Sequence, residues 1–582
     1  MAFISAAAKA TSVAFAHKVP SPSLSSPPSS FSPVLSLPQK ELAAAAPQQQ
    51  QRASASSRSA RSWRGRVRAV ATPTRAPRSP VSIGSVKSPM TTTGKILARA
   101  SEPLVSLHAS FVMGTGKALL KVPPTIRDAL TPCWPCKLDQ DGRRSSRVSA
   151  HGTAGTDGLA EAIHLTPWDL RSIAVEYIQK GVLLPKPPAS GGQGRHDVDV
   201  ERLASSFARA LGRFYPYAGR LALAPAGDDC LAISLRCSGE GAEFVHAVAP
   251  GVAVADVTAS LLIPWVVWSF FPLNGLLGAD AIADSRPVLA AQVTKLADGV
   301  FVAIAGATTA GDDAMVPSPL PVFDKWFLDG CTVPIPLPFG KLEDVVGQRL
   351  DLFPPVQECF LHFSAATLKK LKAKANAEIS GTTIATISSL QALLAHLWRA
   401  VCRARRLAPD KETAYIVYVG CRGHVGSIPA SYAGNALAHV TAKSSAGEIL
   451  GNGLGWVAWQ LNQAVASFDE ARARDKLASW PQEPSFTRLP ELVDSAPTML
   501  LTGSSPRLDV YGNDFGWGAP LAVRSGAGNK VDGKATVYEG RGRGGSMALE
   551  VCLAPEALAR LVADEEFMAA VGISNSFSIA SA

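Results

Sequence analysis

The sequence is poor in the short signatures that announce familiar chemistry. It holds no His-Glu-x-x-His pair, no Gly-x-Ser-x-Gly elbow and no Gly-Lys-Ser/Thr loop, which sets aside zinc peptidases, elbow-type serine hydrolases and phosphate-cradling nucleotide hydrolases. The nine cysteines are scattered apart from Cys133 and Cys136, and no second pair or histidine at ligand spacing accompanies them. No metal is expected, and scattered thiols without a secretory signal fit a reducing compartment. Long apolar runs are also scarce. The longest uncharged stretch, residues 257–279, has bilayer length but is broken by Pro264, Pro272, Asn274 and Gly275 and carries Trp265, Trp268, Phe270 and Phe271. It reads as an interior segment, so no membrane span is expected.

Acidic residues are missing from the start of the chain, where none precedes Glu41. Over the full 582 residues, 57 Lys and Arg stand against 47 Asp and Glu, a formal net charge of +10. Residues 1–150 hold 21 of those bases and 5 of the acids, which leaves 36 against 42 in the remainder. The body is therefore mildly acidic, and no nucleic-acid partner is expected. The leader is rich in Ala, Ser, Pro and Arg, with the cluster Arg61, Arg64, Arg66 and Arg68. That composition fits a plastid transit peptide and equally an unstructured leader, so plastid and cytoplasm both stay open. Residues 1–150 are not expected to take part in the fold.

Several segments of the body carry clear structural signals. Thr166, Pro167 and Asp169 supply a capping oxygen, a fixed φ and an acid, the chemistry of a helix start. A helix is expected over about 200–212, with Leu203, Phe207 and Leu211 on one face and Gly212 as its stop. Another is expected over about 388–405, where Leu390, Leu393, Leu394, Leu397 and Val401 form a core stripe. His396 in that helix reads as a packing residue. A last helix is expected to start at Pro555. The block Tyr511 to Pro520 combines glycines, Phe515, Trp517 and the lone acid Asp514. It reads as a tight loop that buries both rings and leaves the Asp514 carboxylate in need of a partner.

Within that block Asp514, Phe515, Gly516, Trp517 and Gly518 spell DFGWG, and at this point the chain resembles the plant BAHD acyltransferases. Further likeness comes from the segment around Leu165, from Tyr215 to Leu221, and from Tyr418 to Arg422 followed by Gly434, Asn435 and Ala436. The resemblance covers about residues 160–575. It implies an α/β fold of two similar-sized domains with mixed sheets and flanking helices, chloramphenicol-acetyltransferase-like, with an active-site tunnel at the domain interface. Expected limits are 151–340 for the first domain, 341–365 for a crossover linker and 366–582 for the second. It further implies acyl transfer from acyl-CoA, a co-substrate and not a bound cofactor, to a small-molecule alcohol or amine, by a chain expected to be monomeric.

The family's chemistry lies in an HxxxD motif, and here this sequence departs from it. Carrying the register forward from Asp298 to Ile304 places Thr308 at the histidine and Asp312 at the aspartate. The resemblance implies that Asp312 pairs with Arg422 and that DFGWG is structural. Asp313 and the alternate prolines Pro317, Pro319 and Pro321 follow, where relatives have a helix rich in Phe and Trp. A threonine hydroxyl has no basicity near neutral pH. Three readings follow: an acyltransferase with impaired or altered catalysis, a non-catalytic relative that binds or regulates, and a defective gene product.

Overall fold

Gly299–Gly306 reads Gly-Val-Phe-Val-Ala-Ile-Ala-Gly, and every residue of it is buried, as expected for a strand covered on both faces. The computed structural model describes residues 143–150, 162–187, 198–307, 321–323, 333–350, 353–381, 386–422, 425–426, 428–503 and 506–572. The buried strand lies inside a six-stranded sheet ordered Arg144–Val148, Ala242–Ala249, Leu289–Leu296, Gly299–Gly306, Ile178–Pro185 and Ala522–Ser525. Only the pairing of Ala242–Ala249 with Leu289–Leu296 is parallel in this sheet. Arg144–Val148, from the stretch set aside on sequence, is an edge strand with four of five residues exposed. No apolar alternation marks it, because it has almost no buried face.

A second six-stranded sheet is ordered Leu437–Ser445, Glu412–Gly420, Met499–Gly503, Lys534–Glu539, Met547–Leu553 and Gln357–Phe363. It mixes parallel pairs at its centre with antiparallel pairs outside. Both sheets are mixed and carry flanking helices, which is the expected α/β class. A small third sheet joins Ala162–His164, Leu231–Arg236 and Arg220–Pro225.

The helices follow their sequence signals closely. Thr166 accepts from the Asp169 N–H and the Asp169 carboxylate accepts from the Thr166 N–H, a reciprocal cap on Pro167–Arg171. Val200–Arg213 is capped by Asp199 and buries Leu203, Phe207 and Leu211, ending one residue beyond Gly212. Ser389–Arg405 has Ser388 as its cap and buries Leu393, Leu394, Leu397, Trp398 and Val401. His396 lies in that core with its ring 5.2 Å from Phe567, and burial lowers its pKa. The helix expected at Pro555 is Pro555–Val562, with Leu558 and Leu561 buried, and a short helix Glu565–Met568 follows it. Residues 257–279 fold as short turns that are partly exposed, with Phe270 and Phe271 fully buried, their rings 5.3 and 5.4 Å from that of Phe301. Among the described residues no helix is long and apolar enough to cross a membrane.

The two sheets are tied by chain exchange. Ala522–Ser525 leaves the second half of the sequence to pair antiparallel with Ile178–Pro185, Ala522 opposite Leu183 and Ser525 opposite Lys180. Behind it, Lys180 Nζ donates to the Tyr538 hydroxyl at 3.1 Å, and the Arg524 guanidinium lies 4.4 Å from the Phe360 ring centroid. Two cations of the first sheet are thus buried against aromatic rings of the second.

Candidate active site

Thr308 and Asp312 lie outside the described residues, as do Asp313 and the prolines Pro317 and Pro319. Their flanks are fixed. Upstream, Gly306 pairs with Ile178 and Leu289, and the Ala307 N–H donates to the Val288 carbonyl at 2.9 Å. Downstream, the Val322 N–H donates to the Ser431 carbonyl at 2.9 Å, and the Val322 carbonyl accepts from the Ala433 N–H at 2.8 Å. Phe323 packs edge-on against Tyr215 and Tyr217, and the Tyr217 hydroxyl donates to the Ala433 carbonyl at 2.6 Å.

Arg422 organises the loop that receives this downstream flank. Its Nε donates to the Tyr432 carbonyl at 2.8 Å and its Nη2 to the Gly434 carbonyl at 2.5 Å, with the guanidinium 5.7 Å from the Tyr432 ring. A planar fork with several donors suits two carbonyls of one turn, a task lysine could not match. The expected partner Asp312 is outside the described residues, so the pairing stays a proposal.

The DFGWG block sits elsewhere, against the core of the first sheet. Phe515 and Trp517 are buried there, ring centroids 5.8 Å apart, in one cluster with Leu170, Phe214 and Ile233. Gly516 and Gly518 have φ of 90° and 101°, which L side chains rarely adopt. Asp514 Oδ1 accepts from the N–H groups of Gly516, Trp517 and Gly518 at 2.7, 3.0 and 2.9 Å. Three backbone N–H groups are thus partners of the acid, and these bonds hold the turn that presents the two rings.

A cleft of about 250 Å³ lies where the helix Pro167–Arg171 meets Leu437–Ser445 and the helix Glu470–Ser479. Trp168, Phe468 and Trp480 give it aromatic walls, and Arg171, Arg472 and Lys476 give it charge. The Asn435 amide donates to the Trp168 carbonyl at 3.0 Å and fastens the two sides together. Arg171 Nη1 stands 2.9 Å from His439 Nδ1. A guanidinium only donates, so His439 Nδ1 accepts and its proton sits on Nε2. Burial, with Arg171 and Lys476 nearby, pushes the His439 pKa down to about 4, so the ring is neutral. Its lone pair is already engaged by Arg171, which makes it a donor into its surroundings and a poor general base. Sequence reading missed Arg171 and His439, since they are 268 positions apart and neither belongs to a motif.

Comparison with known proteins places this arrangement. The model of the Transferase family matches residues 157–312 and 356–568. An uncharacterized acetyltransferase of Arabidopsis thaliana is 32% identical over 71% of this chain and 95% of its own length. The BAHD acyltransferase DCR of the same plant is 29% identical over 70% of this chain and 88% of its own. Among solved structures, F. sporotrichioides TRI101 complexed with coenzyme A and T-2 superposes with a TM-score of 0.55 at 19% identity, over 71% of this chain and 99% of that one, a likeness of fold. With the family model matched over more than half of its residues and that first relative in support, the chain belongs to the Transferase family, the BAHD acyltransferases.

Proposed function

We propose that this protein transfers an acyl group from acyl-CoA to the hydroxyl or amine of a small acceptor, with catalysis altered by Thr308 at the motif position. The observation that carries the reading is the cleft of about 250 Å³ at the seam between elements of the two sequence halves, where small-molecule sites are favoured. In the reaction the acceptor heteroatom bonds to the thioester carbonyl carbon, the C–S bond breaks, and the acceptor proton ends on the CoA thiol. A positioned histidine base contributes on the order of 10² to 10⁴ in rate. Thr308 supplies no such base, and its hydroxyl serves to hold a water or orient the acceptor. What remains is proximity: holding donor and acceptor together accelerates attack, most for an amine that needs no base. In this reading Asp312 pairs with Arg422 and steadies the loop Arg422 already fixes.

The replacement at position 308 also favours a second reading, a family member that binds its ligands without turnover. Acyl-CoA consumption by the full chain, wild type beside Thr308→His, with several donors and a panel of alcohols and amines, separates the two. Turnover by the wild type is expected. Silence in the wild type with activity in the variant defeats the catalytic reading and leaves a site lacking only its base. Silence in both, with folded protein, supports the binding protein.

A further inference from the structure

The lining of the cleft is unbalanced in charge. Arg171, Arg472 and Lys476 line it, and among the described residues no Asp or Glu does. Arg472 is compensated, since its Nη1 donates to the Ser467 carbonyl at 2.8 Å and its Nε stands 3.6 Å from Asp469. Arg171 is different. It is half-buried beside His439 and the Tyr418 hydroxyl, neither of which carries negative charge, and among the described residues no carboxylate pairs with it. Lys476 is exposed at the rim and likewise has no ion-pair partner among the described residues. Around these cations the walls are Pro167, Trp168, Phe468 and Trp480.

We infer that the cleft selects an acceptor carrying a carboxylate on a small planar ring, the carboxylate meeting Arg171 with Lys476 at the rim and the ring lying between the aromatic walls. A guanidinium in a partly dry site binds a carboxylate through charge-assisted hydrogen bonds, and aromatic walls favour a flat apolar body. The volume lies below the roughly 300 Å³ at which pockets begin to enclose drug-sized ligands, which suits one ring and excludes the nucleotide end of CoA. His439 keeps its place by accepting from Arg171, so the imidazole orients the guanidinium without neutralising it. This inference rests on the acyltransferase reading for calling the ligand an acceptor; the anion preference itself stands on the cleft.

The test is binding of 4-hydroxybenzoate and of its uncharged methyl ester to the full chain, by calorimetry, for the wild type, R171Q, R171K and K476Q. The wild type is expected to bind the acid about ten-fold or more tightly than the ester, with the preference weakened by salt. R171Q should erase the preference, R171K should keep most of it, and K476Q should reduce it a few-fold. Should R171Q fail to fold, the contrast between wild type, R171K and K476Q and the salt dependence still decide. Equal binding of acid and ester, no measurable binding of either at millimolar concentration, a preference that survives in folded R171Q, or competitive displacement of the acid by CoA would each overturn the inference. CoA binding and acyl-CoA consumption are measured on the same samples. Their absence with the acid preference intact removes the transferase reading and leaves the anion site standing.

Discussion

One buried triad should set how the stability of this protein changes with pH. Lys530 Nζ lies 2.6 Å from Glu358 Oε1 and 2.6 Å from Glu550 Oε1, with all three side chains at most 4% exposed. One ammonium thus forms the close ion pair with both carboxylates. Burial works against ionised Glu550, but Lys530 and Lys180, with the N–H and hydroxyl of Ser525, hold its pKa well below the usual range. Glu358 has Lys530, with Lys534 as a weaker influence, and burial outweighs them: it pushes the pKa from 4.5 up to about 7, with repulsion from Glu550 adding to it. The folded state therefore binds more protons than the unfolded state between those two values. Stability from this group is full below about pH 4.5 and falls as pH rises toward 7, by about 3 kcal/mol at roughly 1.4 kcal/mol per unit. Glu550 has the opposite sign, and its loss lies at more acid pH. Glu358→Gln keeps the shape and cannot ionise, so relative to wild type it should gain about 3 kcal/mol between pH 4.5 and pH 8. Urea unfolding followed by tryptophan fluorescence at four pH values across that window reads the difference directly. A gap between variant and wild type that does not change with pH, or that changes in the other direction, refutes the reasoning.

Other substitutions test neighbouring statements. Lys530→Met removes the ion-pair partner shared by two sealed carboxylates and should cost about 3–5 kcal/mol; an unchanged melting temperature would contradict it. Asp514→Ala removes the acceptor for three backbone N–H groups and should cost about 1–3 kcal/mol, read as an earlier unfolding midpoint together with faster proteolysis near residue 514. Trp517→Ala empties a core position and should cost about 3–5 kcal/mol without changing CoA affinity, since its ring packs in the core cluster. Gly181→Ala drives a methyl into the Phe301 ring and should cost about 1–3 kcal/mol, measured by chemical unfolding; no loss would mean that Phe301 has room to move.

Local features were legible in the sequence because local chemistry causes them. The stripe from Leu390 to Val401 marks one helix, and Thr166 with Asp169 marks another, with no help from distant residues. The burial of Phe515 and Trp517 followed from the glycines around them. What escaped was pairing across long separations. Nothing in Ala522–Ser525 names Ile178–Pro185 as its partner, and Arg171 gives no sign of His439. Glu358 and Glu550 sit in strands whose alternation would place charge toward solvent, yet Lys530, from a connecting loop, turns that face into an interior. The motif centre at Thr308 and Asp312 lies outside the described residues, so only its flanks and Arg422 could be compared with expectation.

The borrowed edge strand bears on the order in which the chain is made. Ile178–Pro185 emerges early, and its outer edge stays open until the ribosome has advanced from Pro185 to Ala522. At roughly 5–20 residues per second that interval is on the order of half a minute. Throughout it, Val182, Leu183 and Leu184, all fully buried in the finished molecule, lie beside unpaired backbone groups able to recruit any passing strand. Nascent chains stalled before residue 522 should therefore lean on chaperones, and a premature stop there should yield aggregate instead of a smaller soluble protein.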